Sequence, residues 1–367
     1  MIEDTIFSPS FGNRPAQLVG RQDVMKVLSE GLMRPKGSKE RAGIILGQRG
    51  SGKTVLLLEI AQKAKEMGYI VASPTIVSTD MLGRIVEKLQ DEGESYIKEN
   101  KLKLTGGSIG LPGFSIGLQF SRDEQETKSF SYKLLKLCKA LGKYGKGVLV
   151  LVDELQANNN DLKQLIIAYQ EIVGEGENIA IIMAGLPGAV SATLNDHVLT
   201  FLNRANRIYL EPLKLIEIER YYKNSFRKLG ISISDDHIRQ AAEATEGSPY
   251  LMQLIGHYIT YSAEEDGSIS ANVFDNSLHL AREDFKNDVC NTALNALSDK
   301  DIEFLKAMIP DAEESSMSDV SARMGVSSDY AQQYKRRLTD NGIIEQHRRG
   351  YVRFAIPYMK EHMRSEY

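Results

Sequence analysis

The octapeptide GQRGSGKT at residues 47–54 has the residue types and spacing of a loop that holds phosphate, fitting G-x-x-x-x-G-K-[ST]. Its glycines let backbone N–H groups turn inward around an anion, and the helical run VLLLEIAQKAKEM that follows adds the positive end of its dipole. Gly47, Gln48, Arg49, Gly50, Ser51, Gly52, Lys53, Thr54 and Val55 therefore form a candidate nucleotide cradle. Lys53 is expected to reach the β- and γ-phosphates, and the Thr54 hydroxyl to bind Mg²⁺. The stretch VLVLVDE at 148–154 supplies the complementary acids. Asp153 would orient the Mg²⁺ shell, and Glu154 would polarise the water that attacks the γ-phosphate. An acidic pair after a strand also serves as an ordinary helix cap, and the phosphate loop upstream is what favours the catalytic reading.

These groups need a scaffold that brings two distant loops to one place. The segments AGIIL (42–46), YIVAS (69–73), VLVLV (148–152) and IAIIM (179–183) are apolar without a polar alternate, as in strands buried on both faces. Helical stretches separate them, so the expected class is α/β, a parallel sheet with helices on both faces. In such sheets ligands bind beyond the C-terminal ends of the strands, where both motifs fall. One segment breaks the alternation. KLKLTGGSIGLPGFSIGLQF (101–120) carries Phe114, Ile116, Leu118 and Phe120 at a period of two after a Pro112-Gly113 turn signal. That pattern predicts an inserted β-hairpin over 101–121, either packed as a sheet edge or projecting toward a neighbouring subunit or DNA.

After Pro212 the pattern is purely helical, with runs at 216–229, 234–245 and 249–262 punctuated by Gly230, Gly247 and Gly267. The expected division is an ATPase domain over 1–212, a helical lid over 213–297 and a third unit over 298–367. In the third unit DKDIEFLKAM, SMSDVSARMG and SSDYAQQYKRRLTDNG read as three helices, and IIEQH and YVRFAIP as a two-stranded wing around an RRG turn. That order is a winged helix-turn-helix. Its second motif helix would place Tyr330, Ala331, Tyr334 and Leu338 toward the core, with Gln332, Lys335, Arg336 and Thr339 outward. Basic residues concentrate there: Lys335, Arg336, Arg337, Arg348, Arg349 and Arg353, against Asp340 and Glu345. Gln332 and Arg336, with Lys335 beside them, are placed for base edges, whereas Arg348 and Arg349 suit the backbone or minor groove. Winged helices also serve as protein–protein modules, and Glu313, Glu314 and Asp319 make the rest of this unit acidic, so DNA and a protein partner both stay open.

Composition sets the outer bounds. A chain of 367 residues has room for two or three packed units, and 42% hydrophobic with 26% charged residues is ordinary for globular proteins. With 45 Lys plus Arg against 49 Asp plus Glu, the chain is no polycation, and any nucleic-acid contact must be local. Cys138 and Cys290 lie far apart without metal-ligand spacing and read as buried thiols in a reducing compartment. The opening MIEDTIFSPSFGNRP lacks the pattern of a signal peptide, and no run approaches the roughly 18 apolar residues of a membrane span. A cytoplasmic protein is expected.

The motifs together resemble the AAA+ superfamily of P-loop NTPases, and within it the origin-recognition ATPases of replication initiators and their relatives, over almost the whole chain. LVGRQDVMKVL (18–28) is similar to the box that contacts adenine, which implies Val19, Gly20 and Arg21 beside the base, with Gln22 where an acid is common. IAIIMAGLPG resembles the first-sensor strand, with Ala184 and Gly185 where a polar residue is usual. FLNRANRIYLEPL (201–213) is similar to the arginine-finger segment, implying Arg204 or Arg207 in the same chain or a neighbour. EGSPYLMQLIG (246–256) resembles the second-sensor helix, with Tyr250 after Pro249 where an arginine is often found. The resemblance implies ATP or ADP with Mg²⁺, slow hydrolysis, and a switch that couples nucleotide state to double-stranded DNA, alone or as a homo-oligomer. The alternative is a signalling or defence ATPase whose nucleotide state controls self-association or a protein partner, without direct DNA binding.

Overall fold

The computed structural model describes residues 2–9, 15, 17–76, 80–104, 118, 120, 128–156, 159–194 and 202–366. Five parallel strands form the central sheet: β1 (Ala42–Leu46), β2 (Tyr69–Ile76), β3 (Gly147–Asp153), β4 (Ile179–Gly185) and β5 (Asn206–Tyr209), in the order β2-β3-β4-β1-β5. Every residue of β1, β3 and β4 is buried, which is why these strands read as unbroken apolar runs. β5 is an edge strand of alternating exposure, and its short length hid it from the sequence reading.

Helices cover the sheet as the side-chain period of two dictates. On one face Ile44, Val150 and Ile181 pack against α3 (Met81–Leu104), α4 (Phe130–Gly142) and α5 (Asn160–Gly174), through residues such as Leu89, Leu137 and Ile166. On the other, Ile45, Leu149 and Ile182 pack against Leu28 and Leu32 of α1 (Gln22–Met33) and Leu56, Leu57 and Ile60 of α2 (Lys53–Glu66). Cys138 lies in the first of these cores. It and Cys290 are buried free thiols, each pushed by burial up to about 12.

The region expected as a hairpin begins differently. Residues 101–104 are the last turn of α3, because Lys and Leu are good helix formers and no glycine occurs between Gly93 and Gly106. Residues 105–117, 119 and 121, including Phe114 and Ile116, lie outside the described residues. Leu118 and Phe120 are buried against the α3 face of the sheet.

Beyond α6 (Pro187–Leu194) and β5 comes the helical unit expected as a lid, hereafter the lid: α7 (Leu215–Lys228), α8 (Asp235–Glu243), α9 (Pro249–Ser262) and α10 (Ala271–Phe285), the last running into a π-helical segment, Lys286–Asn291. The C-terminal unit follows as α11 (Asp299–Met308), β6 (Ser315–Ser316), α12 (Met317–Met324), α13 (Ser328–Asp340), β7 (Ile344–Arg348), β8 (Tyr351–Phe354) and α14 (Met359–Glu366). Its sheet is three-stranded and antiparallel, β6-β8-β7, so the two-stranded wing has a third strand too short to show in the sequence. Gly325 makes the left-handed turn between α12 and α13. Ala331 and Leu338 are fully buried, but Tyr330 is exposed and lends its hydroxyl to a 2.7 Å hydrogen bond with Tyr334.

Lid and C-terminal unit are not separate cores. One apolar cluster runs from Tyr222, Phe226 and Phe274 through Phe285 and Cys290 to Phe304, Leu338 and Met359. Polar ties reinforce it: Lys286 binds Glu361 at 2.8 Å, His362 meets Asn291 at 2.6 Å, and the Tyr358 hydroxyl donates to the Ala244 carbonyl at 2.7 Å. The N-terminal segment joins the same cluster through Phe7, whose ring centroid lies 5.7 Å from Tyr221 and 5.5 Å from Phe226. Phe7→Ala should remove about 3 kcal/mol from the stability of the lid, read as a lower urea midpoint in tyrosine fluorescence; an unchanged transition would show that the N-terminal segment does not brace it.

Candidate active site

Because β1, β3 and β4 are parallel, their C-terminal ends open on one edge of the sheet, and the chain puts a different group at each. After β1 comes the phosphate loop. Gly50 and Gly52 take φ +73° and +86°, which admits few side chains, and α2 starts at Lys53. The Lys53 ammonium is folded back on the loop, donating to the carbonyls of Gly47 at 2.9 Å and Gln48 at 2.8 Å. Burial pulls its pKa down to about 8, with Arg49 pushing the same way and the nearby carboxylates of Asp153 and Glu154 opposing.

Asp153 ends β3 and is buried at 4% exposure, so its carboxylate needs partners. One oxygen accepts from the Thr54 hydroxyl at 2.6 Å and the other from the Glu154 N–H at 2.9 Å. The first bond joins the two motifs across the unrelated strand β4. Glu154 turns the chain with φ +54°, a conformation uncommon outside glycine and frequent where strain serves a site. Its side chain is exposed and lines the cavity.

β4 ends at Ala184 and Gly185, and the reason for the missing polar residue is steric. The Leu155 N–H donates to the Ala184 carbonyl at 2.9 Å, and a Cβ on Gly185 would lie 2.8 Å from that of Leu155. The chain leaving β3 occupies the place a sensor side chain would need.

A cavity of about 940 Å³ lies over this edge. The phosphate loop from Arg49 to Val55, with Asp153 and Glu154, forms one side. Lid residues Pro249 and Tyr250 form another, at the start of α9. A Cβ at Gly50 would be 3.6 Å from that of Tyr250, so the N-terminus of α9 sits directly on the loop. Tyr250 stands in place of a charge and donates to Asp288 of the π-helical segment at 2.5 Å; burial raises its pKa above the ordinary tyrosine range, as does that hydrogen bond.

Val19 lines the cavity, buried against the lid core. Gly20, at φ +62°, leaves no room for a side chain beside Glu217 and Leu213. Arg21 also lines the cavity, but its guanidinium is a brace, donating to the Glu211 carbonyl at 2.7 Å and the Ser51 carbonyl at 3.4 Å. It ties the phosphate loop to the start of the lid. Arg204 and Arg207 are exposed near the sheet edge and do not line the cavity; Arg207 donates to Asn203 at 3.0 Å.

Several contributors escaped the sequence reading. Ser8 and Pro9 reach the cavity because Phe7 anchors the N-terminal segment. Asp288 arrives through a π-helical segment that has no sequence signature. Asp340 and Asn341, which read simply as the end of a helix, line the cavity from the C-terminal unit.

In that unit Gln332 and Arg349 are exposed, and Arg336 has 77% of its side chain open with only Asp340 at 4.0 Å. The other cations are engaged. Lys335 donates to Gln346 at 2.8 Å, Arg337 pairs with buried Asp301 at 2.6 Å, Arg353 pairs with Glu345 at 2.5 Å, and Arg348 binds Glu314 while lying 3.6 Å over the Tyr351 ring.

Residues 34–255, more than half of the chain, match the family of ATPase domains found predominantly in Archaea. The chain belongs to this family. Residues 287–363 match a domain of unknown function, DUF8462, which begins inside the π-helical segment. The fold of this ATPase is similar to a Walker-type ATPase of Pyrococcus abyssi, with TM-score 0.69 at 16% identity over 96% of this chain and 97% of the other. It is also similar to the ORC2 protein of Aeropyrum pernix in ADPNP–ADP complexes, with TM-score 0.64 at 14% identity over 97% and 96%. Cdc6p of Pyrobaculum aerophilum gives TM-score 0.50 at 16% identity over 98% and 97%. Curated protein sequences give no match. The AAA+ fold of the origin-recognition type, implied by the motifs, is therefore the fold of this ATPase. Among the described residues no helix is long and apolar enough to cross a membrane.

The Lys53 surroundings set a pH dependence. Below about pH 8 the ammonium is charged before nucleotide arrives, and binding takes up no proton. Above it the free protein holds a neutral amine that the phosphates recharge, so binding takes up a proton and weakens as pH rises. Calorimetry of Mg–ATP binding at pH 8.5 in two buffers of different ionisation enthalpy should report uptake of up to about one proton; none would mean that the loop leaves the lysine charged throughout.

Proposed function

We propose that this ATPase is a nucleotide-set switch whose C-terminal winged helix binds double-stranded DNA. One observation carries the reading: a single cavity is walled by the phosphate loop, the lid and the end of α13, so a ligand there lies among all three units. Adenine nucleotide is the occupant the residues favour, and ORC2 of Aeropyrum pernix was solved with ADPNP and ADP. The loop N–H groups and Lys53 would hold the phosphates, and Val19 would offer an apolar wall to the base. Mg²⁺ suits Thr54 and Asp153, a hydroxyl and a buried carboxylate already aligned, with phosphate and water completing an oxygen shell. When bound it neutralises phosphate charge; Glu154 orients the attacking water and accepts its proton.

Hydrolysis should be slow. The first-sensor position is sterically reserved for backbone, the lid presents Tyr250 in place of a cation, and exposed Arg204 and Arg207 lie outside this chain's cavity, where they would serve a second copy. That last feature also supports the competing reading, in which nucleotide controls self-association and the C-terminal unit is an arm. The open charges of Arg336, whose ion pair with Asp340 is a loose 4.0 Å, and of exposed Arg349 beside exposed Gln332 favour DNA, since a purely structural arm gains nothing by holding them out to solvent.

Two measurements test this. Glu154→Gln should bind Mg–ATP as wild type does while turnover, itself below roughly 1 s⁻¹, drops about a hundredfold; fast unassisted turnover in wild type would rule out a switch. In DNA titrations over a range of salt with ATP, ADP or neither, Arg336→Glu with Arg349→Glu should weaken binding and lower the salt slope by about two. An unchanged slope, or ATP-dependent oligomers without DNA binding, would favour the competing reading.

A further inference from the structure

We propose that the seat of the last turn of α13 on the phosphate loop is a nucleotide-sensitive latch, in which Gln48, Asp340 and Asn341 report the phosphate state to the C-terminal unit. The inference rests on the reading that nucleotide controls this unit, and it names the contact responsible.

The approach is unusually close. α13 packs on α6, where a Cβ on Gly188 would lie 1.8 Å from the Asp340 Cα. Two residues on, Gly342 turns with φ +66°, and a Cβ there would lie 2.4 Å from Oε1 of Gln48. Two glycines on opposite sides of the contact are therefore needed for it to form. Gln48 occupies a variable position of the phosphate loop, so its side chain is free to serve as the seat. The residue is half-buried, but its Oε1 is shut from water and has no hydrogen-bond partner among the described residues. The contact is steric fit without polar compensation, and the buried carbonyl oxygen regains water when it opens.

The same residue is tied to the phosphate-binding ammonium. The peptide oxygen of Gln48 accepts from Lys53 at 2.8 Å. A triphosphate that takes the ammonium breaks this bond and frees the Gln48 backbone to move. Asp340 and Asn341 line the cavity itself, and burial already raises the Asp340 carboxyl above its usual range, with only Arg336 opposing. More phosphate charge in the cavity disfavours that carboxylate further. Both effects run in one direction: ATP opens the latch, and ADP opens it less. Because lid and C-terminal unit share a core, opening swings them together about the segment that Arg21 braces at Glu211. By linkage, anything that opens the latch tightens ATP binding by the same factor.

Hydrogen exchange on the full chain tests this at residues 187–194 and 338–343, with a non-hydrolysable ATP analogue and Mg²⁺, with ADP and Mg²⁺, or with neither. Wild type should exchange there about tenfold faster with the analogue than with ADP. Gly342→Ala should exchange fast in all three conditions, with Gln48→Ala as the substitute if that variant does not fold. Asp340→Asn should narrow the gap between analogue and ADP. Equal exchange with analogue and ADP, while calorimetry shows both bound, would overturn the latch. So would a folded Gly342→Ala that responds as wild type does. A nucleotide-dependent change without DNA binding in any state supports the latch and removes DNA as the partner. No nucleotide uptake by calorimetry defeats both.

Discussion

An ammonium stripped of most of its water and held only by two carbonyls of its own loop is the constraint on which this molecule is built. Lys53 sits there because α2 begins at that residue, and α2 begins there because left-handed glycines end the loop. Burial at this depth disfavours the charge, as its lowered pKa records. The carboxylates of Asp153 and Glu154 offset that penalty only in part, so further negative charge beside the ammonium is favoured. The same low dielectric that makes the bare ammonium unfavourable strengthens its grip on phosphate.

Around that point the molecule is arranged as two bodies. The sheet and its two helical layers form one, with separate cores above and below. Lid, N-terminal segment and C-terminal unit form the other, joined through a continuous apolar cluster. The cavity lies between them, with α9 on the loop from one side and α13 from another. A ligand at the junction of two bodies changes their relative position more effectively than one buried inside either.

The legible parts of the fold were those with strong local signals. The octapeptide fixes a strand end, a loop and a helix start within eight residues, and the apolar runs of β1, β3 and β4 can be buried only on both faces. The Asp153–Thr54 pair followed, because parallel strands carry their C-terminal ends to one edge. What stayed hidden depends on tertiary contact. β5 and β6 span four and two residues and carry no periodic pattern of their own. The period-two reading was wrong for residues 101–104, where a helix already under way continued. Arg21 drew attention as a base contact, yet its guanidinium spans two backbone segments far apart in sequence. Asp340-Asn341-Gly342 carries the signature of a helix end, and nothing local tells that the turn rests on another domain. Basic residues of the C-terminal unit were countable in the sequence, but only side-chain geometry separates Arg336 and Arg349 from the cations engaged within their own unit.

The two helices that meet the cavity do so with opposite ends. α9 presents its first residues, Pro249 and Tyr250, to the phosphate loop, whereas α13 presents its last, Asp340, followed by Asn341. Peptide dipoles make the first end electropositive and the second electronegative. The cavity is therefore polarised across its width before any ligand enters, and an elongated anion experiences a preferred orientation in it. Its charge-dense end is drawn toward the start of α9 and away from the end of α13, a directional bias that adds to that of the loop and the start of α2.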